Sequence, residues 1–286
     1  MTSRAGIFRR DVLAFLRERG IPVIGGTRQG LGAIDRLARW TEPPGTPRPG
    51  SGRAGRLASL LAGGARPTIH EHDAKRLLAE AGLPVVGERL VTELPEARAA
   101  AVALGYPIAL KAVSDDIPHR SELGLVAVGL ADERELTGAW ERMSRRLDET
   151  GKRGVIAGFL VQEMAHDGLE VFAGVNTDPD WGPVLAFGAG GVLVEALGDV
   201  ALRPLPLRDG DAEAMIAETT IAARQLAGVR GQPPADVGAL CRCLEALADY
   251  AWAEGASIAE IDLNPIKVLE RGRGCVVVDA LIVPRT

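Results

Sequence analysis

Three segments of the chain combine residue types and spacings that could do chemistry. In Ser257-Ile-Ala-Glu-Ile-Asp-Leu-Asn-Pro265 the polar residues Glu260, Asp262 and Asn264 alternate with Ile261 and Leu263, so on an extended strand all three share one face. Val276-Val-Val-Asp279 ends a second apolar strand on a single carboxylate. A hairpin turn centred between Arg271 and Gly272 sets a register in which Asn264 faces Asp279. Two oxygen donors on adjacent strands suit Mg²⁺, whose remaining positions go to water and substrate phosphates. A wet polar strand edge would explain the alternation, but not a carboxylate following three valines.

The second segment is Pro107-Ile-Ala-Leu-Lys-Ala-Val113. Lys75, Lys111, Lys152 and Lys267 are the only lysines among 33 Lys and Arg residues, so a lysine inside an apolar run asks for a reason. Lys111 is either a residue on the wet face of a half-buried strand or a point charge for phosphate oxygens, with small Ala109 and Ala112 leaving room for a ligand. Lys75 reads as part of an ordinary helix. Third, Phe187-Gly-Ala-Gly-Gly-Val192 follows a strand, and its glycines would let backbone N–H groups approach phosphates. Alone it is equally a tight turn, and it matches neither the phosphate loop ending in Gly-Lys-Ser/Thr nor an early GxGxxG. His119 lies in the polar loop Asp115–Gly124, where it is either a solvated residue or a proton or phosphoryl carrier. Cys241 and Cys243 sit two apart in a helical pattern and do not share a face, so zinc is not expected.

Elements that would position these residues are legible along the chain. Phe8, Val12, Phe15 and Leu16 form one helical face, 21–24 reads as a short strand, and Thr27 could cap a helix carrying Leu31, Ile34 and Leu37. A Pro/Gly-rich stretch follows, and residues 41–66 read as a linker. Beyond it the pattern predicts a helix over 72–81, a strand at 83–86, a helix over 94–104, strands at 107–113 and 125–130, and a helix opened by an Asp132/Glu135 capping box. Two strands at 155–164 and 169–176 read as an antiparallel pair, followed by a strand at 183–187, helices near 211–226 and 237–253, and the closing hairpin. The fold class expected is α/β (α+β) with mixed or antiparallel sheets in two lobes, not a run of βαβ units.

Composition narrows the function. With 286 residues, 47% of them hydrophobic, the chain can form two ordinary cores. A formal net charge of -5 argues against a nucleic-acid partner. No window approaches the roughly 18 uninterrupted apolar residues of a membrane span. The first twenty residues are too broken by charge for a signal peptide, and three cysteines fit a reducing compartment, so a cytoplasmic protein is expected.

The ordered segments EHDAKRLLAEAGLPV, GYPIALKAVSDDIPHRSELG, LVQEMAHDGLEVFAGVNTDPDWGPVLAFGAGGVLVEALGDVALR, GVRGQPPAD and AEIDLNPIKV with VVVDA resemble the ATP-grasp subunit of ADP-forming acyl-CoA synthetases of the acetate-CoA ligase type, relatives of the succinyl-CoA synthetase β subunit. The resemblance runs from about residue 67 to the C-terminus. It implies a two-lobed ATP-grasp domain over 67–286, with a small lobe at 88–163 and a large lobe of 67–87 plus 164–286. Residues 1–40 resemble the tail of the flavodoxin-like CoA-ligase domain of fused members. By resemblance, Lys111 contacts ATP phosphates, Gln162, Glu163 and Met164 belong to the hinge that reads adenine, and Glu170 holds the ribose. Gly190 and Gly191 line the triphosphate, Arg203 contacts phosphate, and Asn264 and Asp279 bind Mg²⁺. His119 corresponds to the histidine that relays a phosphoryl group from a partner's phosphohistidine. The histidine loop departs from the family in Arg120 for Lys, Glu122 for Asp, and Leu125 for a second glycine, a bulkier loop expected to swing less freely.

The implied reaction is acid plus ATP plus CoA to acyl-CoA plus ADP plus phosphate, with Mg²⁺. It needs a CoA-binding, phosphohistidine-bearing α-type partner chain or fused domain, a small carboxylic acid, and a hetero- or homo-oligomeric assembly. A self-sufficient carboxylate–amine ligase and an inactive nucleotide-binding regulatory subunit are the alternative readings.

Overall fold

The computed structural model describes residues 10–20, 30–31, 34, 56–61, 68–114, 123–165, 167–190, 199–228 and 233–285. The chain divides into two units, Met1–Gly45 and Thr46–Thr286. In the first, helix α1 (Arg10–Arg17) carries exposed Val12 and Phe15, and the Arg19 guanidinium stacks 3.6 Å from the Phe15 ring centre. The strand expected at 21–24 and the cap at Thr27 lie outside the described residues.

The second unit is built on two antiparallel sheets. It opens with α2 (Arg56–Leu61), whose Leu57 is fully buried in the larger core. This corrects the expectation of a linker through residue 66. Helix α3 (Glu71–Glu80) follows, with the His70 side chain accepting from the Asp73 N–H and Glu71 and Asp73 in the first turn, where the helix dipole favours carboxylates. Residues 83–86 form no strand of the ladder. Val86 N–H donates to the Val277 carbonyl and Pro84 accepts from the Val277 N–H, a single bridge that Pro84, lacking a donor of its own, cannot extend.

The small sheet runs β1 (Glu88–Val91), β4 (Gly158–Glu163), β2 (Ile108–Val113), β3 (Val126–Leu130) in spatial order. Helices α4 (Leu94–Leu104) and α5 (Glu133–Glu149) pack on one face, and their core includes Ala101, Leu110, Leu125, Leu136 and a Trp140–Phe159 pair with ring centres 4.3 Å apart. Asp132 caps α5 by accepting from the Glu135 N–H at 2.8 Å. The expected reciprocal contact is shifted by one residue, because the Glu135 carboxylate accepts from Ala131 instead of Asp132.

The large sheet runs β10 (Ala280–Pro284), β8 (Ile258–Val268), β5 (Leu169–Asp178), β6 (Gly182–Ala189), β7 (Val200–Pro204), with β9 (Cys275–Val277) also on β8. Helices α6 (Asp211–Glu218), α7 (Thr220–Leu226) and α8 (Val237–Glu254) contribute to its core. Strands β4 and β5 therefore do not pair with each other, contrary to expectation. Both edges of β4 are taken by β1 and β2, which leaves β5 no ladder to join, and β5 pairs with β6 and β8 in the other sheet. Among the described residues no helix is long and apolar enough to cross a membrane.

Candidate functional site

Strand pairing places side chains on the inner face of the small sheet. Residues opposed across a ladder share a face. Glu88, Gln162 and Ala109 are opposed in one row, and Leu160 and Lys111 in the next. All six residues of β2 are buried, so Lys111 is not on a wet face; it is 8% exposed. A charge in that position needs a partner. Its Nζ donates to Glu71 Oε1 at 2.5 Å.

Glu71 serves two lysines. Lys75, one helical turn on, donates to the same Oε1 at 2.8 Å, pairs with Glu88, and reaches Gln162 Oε1 at 3.3 Å. Glu88 in turn meets His72 Nδ1 at 2.8 Å. Burial works to raise the Glu71 carboxyl, but the joint pull of Lys111 and Lys75 outweighs it and holds the group at about 2. The result is a buried chain of alternating charge, Glu88–Lys75–Glu71–Lys111, with half-buried His72 hydrogen-bonded at its outer end. It joins α3, whose Ala74, Leu77 and Leu78 lie in the large core, to strands β1 and β2 of the small sheet.

The closing hairpin meets this chain at one carbonyl. Lys75 Nζ at 3.1 Å and Gln162 Nε2 at 3.3 Å both donate to Val278 O, one residue before Asp279. The pairs Ile266↔Val277 and Leu263↔Ala280 bracket Asn264 and Asp279, so the two residues stand opposite each other where β9 gives way to β10. Ile261 and Leu263 are buried while Glu260 and Asn264 are exposed, the alternation read from the sequence. Asp279 Oδ1 accepts from the Ala280 N–H at 2.8 Å. Burial first, and Glu260 second, push the Asp262 carboxyl above its ordinary value. Among the described residues no three His, Cys, Asp or Glu side chains gather as a metal cage. An amide oxygen and a carboxylate on adjacent strands nevertheless fit Mg²⁺, which takes one or two protein oxygens and completes its shell with water and phosphate.

The remaining expected site residues fall in several places. In the hinge segment, Glu163 N–H donates to Gly87 O at 3.0 Å, its Oε1 accepts from Gly87 N–H at 2.7 Å, and Met164 N–H donates to Pro107 O at 3.3 Å. Glu170 is exposed on β5 opposite Lys267, with their charged atoms 3.8 Å apart. Gly190 is sterically required, since a Cβ there would lie 2.7 Å from the Glu170 carbonyl carbon. Arg203 is not brought to the site. It is opposed to buried Leu185, on the helix-covered face with Ala201, and it pairs with Glu218 and Asp211 of α6. The phosphate role expected of Arg203 rests on resemblance alone, and its strand, with apolar residues on both faces, carries no periodic signal of which face is inner. His119 and Gly191 lie outside the described residues. Leu125 is 2% exposed and belongs to the small core, so it is a packing residue and its carbonyl accepts from Ala112 N–H.

Glu71, Lys75 and Glu88 were not singled out from the sequence. In the sequence Lys75 reads as an ordinary helical lysine, yet it is 1% exposed. The scarcity of lysine that drew attention to Lys111 applied equally to Lys75, and Glu71 four residues earlier supplied a partner at helical spacing.

A family model described as ATP-grasp domain matches residues 60–283. The ADP-forming acetate–CoA ligase II subunit beta of Pyrococcus furiosus is 38% identical over 227 residues, covering 79% of this chain and 95% of that subunit. The ADP-forming 4-hydroxybutyrate–CoA ligase of Nitrosopumilus maritimus is 31% identical over 281 residues; this chain spans 40% of its length. Among solved structures, the Ca. Korarchaeum cryptofilum dinucleotide forming acetyl-coenzyme A synthetase 1 in complex with coenzyme A, Ca-AMPCP and HgCl+ superposes with a TM-score of 0.75 at 36% identity. That match covers 80% of this chain and 99% of the other.

Proposed function

The chain belongs to the ATP-grasp family, in the branch of ADP-forming acetate–CoA ligase beta subunits, and from that premise we propose that it is the nucleotide-binding, phosphoryl-transferring part of an ADP-forming acyl-CoA synthetase. The reaction is acid plus ATP plus CoA to acyl-CoA plus ADP plus phosphate, run with a CoA-binding, phosphohistidine-bearing α-type chain or domain. The observation that carries this reading is the convergence of Lys111, Gln162 and the Val278–Asp279 segment through Glu71 and Lys75. It links a buried ammonium on the small lobe, through Glu71 and Lys75, to the backbone carbonyl one residue before Asp279 on the large one.

In this reading Lys111 binds phosphate oxygens as a fixed charge. Gln162, Glu163 and Met164 form the hinge that holds adenine, Glu170 holds the ribose, and Gly190 and Gly191 admit the phosphates. Asn264 and Asp279 hold Mg²⁺, which when bound neutralises charge on the phosphate oxygens. Positioning and charge stabilisation are the main demands of phosphoryl transfer, and a preformed, partly dry site supplies both. His119 relays the phosphoryl group to and from the partner. The match to the Nitrosopumilus maritimus ligase extends over 97% of this chain, which supports reading residues 1–40 as a portion of the adjoining CoA-ligase domain.

The test is reconstitution. The full chain is mixed with a CoA-binding α-type subunit, and acyl-CoA formation from ATP, acid and CoA is followed, with ADP release measured in parallel. Product that depends on CoA, passes through an acid-labile phosphohistidine and is abolished by Lys111→Ala is expected. Turnover with an amine in place of CoA, or AMP as the nucleotide product, would overturn the assignment.

A further inference from the structure

We propose that Glu71 is a positioning residue for nucleotide binding: it sets the Lys111 ammonium for the phosphates and, through Lys75, ties that setting to the Val278–Asp279 segment. The inference rests on the nucleotide reading above and adds residues to it that do not themselves touch nucleotide.

The argument starts from anchorage. Ala74, Leu77 and Leu78 bury one face of helix Glu71–Glu80 in the large core, so its polar face is a fixed platform on the large lobe. Lys111 stands on a strand of the other sheet and reaches that platform at Glu71 Oε1. An ammonium has three N–H donors in tetrahedral array, and committing one of them to a fixed carboxylate aims the other two. Lys75 uses its donors differently. It bridges Glu71, Glu88, Gln162 and the Val278 carbonyl, and so carries the geometry from the phosphate-binding lysine to the backbone beside Asp279.

Charge balance supports a lasting role for Glu71 when phosphate is bound. Two carboxylates, Glu71 and Glu88, face two ammonium groups, Lys75 and Lys111, inside the fold. Lys75 retains Glu88 whatever happens at Glu71, whereas Glu71 is the carboxylate that holds Lys111. Without Glu71, Lys111 on its long stem is free to choose other rotamers, and the entropy of fixing it would fall on ligand binding instead of folding.

Binding of MgATP and of adenosine, which lacks phosphates, to the full 286-residue chain tests the idea. Glu71→Gln is expected to weaken MgATP binding roughly ten- to hundredfold, the range for a hydrogen bond to a charged group, and to leave adenosine binding within about twofold. Lys111→Met should show the same selective loss, and the double variant should bind MgATP no more weakly than Lys111→Met alone, because the two residues act as one unit. Undiminished or tighter MgATP binding by Glu71→Gln overturns the inference, as does parallel loss of adenosine or additive losses in the double variant. If Glu71→Gln does not fold, Glu71→Asp keeps the charge but draws it back by one methylene, and the same criteria apply to it. A wild-type chain that binds neither ligand refutes the nucleotide reading and this inference together. Wild-type binding with an unaffected Glu71 variant refutes the inference alone.

Discussion

Glutamine in place of Glu71 should change how the fold responds to acid. The carboxyl sits at about 2 against an ordinary 4.5, because Lys111 and Lys75 favour its charged form more than burial opposes it. A group whose pKa is lowered by folding stabilises the folded state above its unfolded value and loses that contribution as pH falls toward the folded one. Each pH unit between the two values is worth about 1.4 kcal/mol, so the ionised carboxylate contributes about 3 kcal/mol at neutral pH. The side chain is 1% exposed, so solvent screening takes little from that figure. Urea unfolding of wild type and Glu71→Gln, followed by far-UV circular dichroism at a series of pH values, reads the difference directly. Carboxylates common to both proteins cancel in the subtraction. The gap should be about 3 kcal/mol at pH 7, hold down to about pH 5, and lose more than half its size by about pH 3. A gap that stays constant on acidification would mean that glutamine acts by shape and not by charge. A gap under about 0.5 kcal/mol at pH 7 would put the Glu71 pairs in the class of surface salt bridges and refute the buried-chain description.

Leu125→Ala should destabilise the fold by about 2–5 kcal/mol, as expected for a leucine buried in a core; a loss below about 1 kcal/mol in urea unfolding would contradict its place among Ile108, Leu136 and Phe159. Asp236 caps α8 through Ala239 N–H and also accepts from Gly272 and Gly274 N–H, contacts that hold its carboxyl below the ordinary value. Asp236→Ala should therefore cost about 1–2 kcal/mol, with faster hydrogen exchange at the Gly272 and Gly274 amides as the signature. Gly190→Ala should shift the Glu170 backbone and lower the melting temperature, since its Cβ would meet the Glu170 carbonyl oxygen at 2.8 Å; an unchanged melting temperature would show that the strand end yields freely. Asp279→Asn should raise the Mg²⁺ concentration giving half-maximal ATP binding by about tenfold, the cost of about 1.4 kcal/mol of charged coordination; an unaltered Mg²⁺ dependence would move the metal elsewhere.

Much of what positions the site was legible because it is local. The Asn264/Asp279 register followed from one turn and the period-2 pattern on each side, and the structure brackets the pair on the same register. The helix expected over 94–104 has those ends in the structure, with a Pro in its first turn and Gly105 as its C-cap. What sequence reading missed is non-local. Strands β4 and β5 are neighbours in the chain but belong to different sheets, since strand partnership depends on which edges are already occupied. The Lys75–Glu88 and Lys111–Glu71 pairs join separate elements, and no periodicity in a single window reports them. Arg203 differs for a third reason: its phosphate role is expected by resemblance alone, whereas the structure sets it on the helix-covered face, paired with Glu218 and Asp211.

The crossing between the sheets has a consequence for the order in which the molecule can assemble. The small sheet begins at Glu88 and ends at Glu163, and these ends are neighbours, with Gly87 and Glu163 exchanging hydrogen bonds. The small lobe is thus a cassette with its own core, able to close on a growing chain as soon as residue 163 has emerged. The large lobe has no such independence. Ile69 bridges Ile282, Val85 bridges Val277, and β8 lies between β5 and β10, so the segment before the cassette must wait for residues some two hundred positions further along the chain. Such long-range closures are slow to form. Lys111 would sit on its strand early, but Glu71, which fixes its ammonium from the large lobe, and the Asn264/Asp279 pair come into place only when the large sheet closes, so the buried charge chain is completed last.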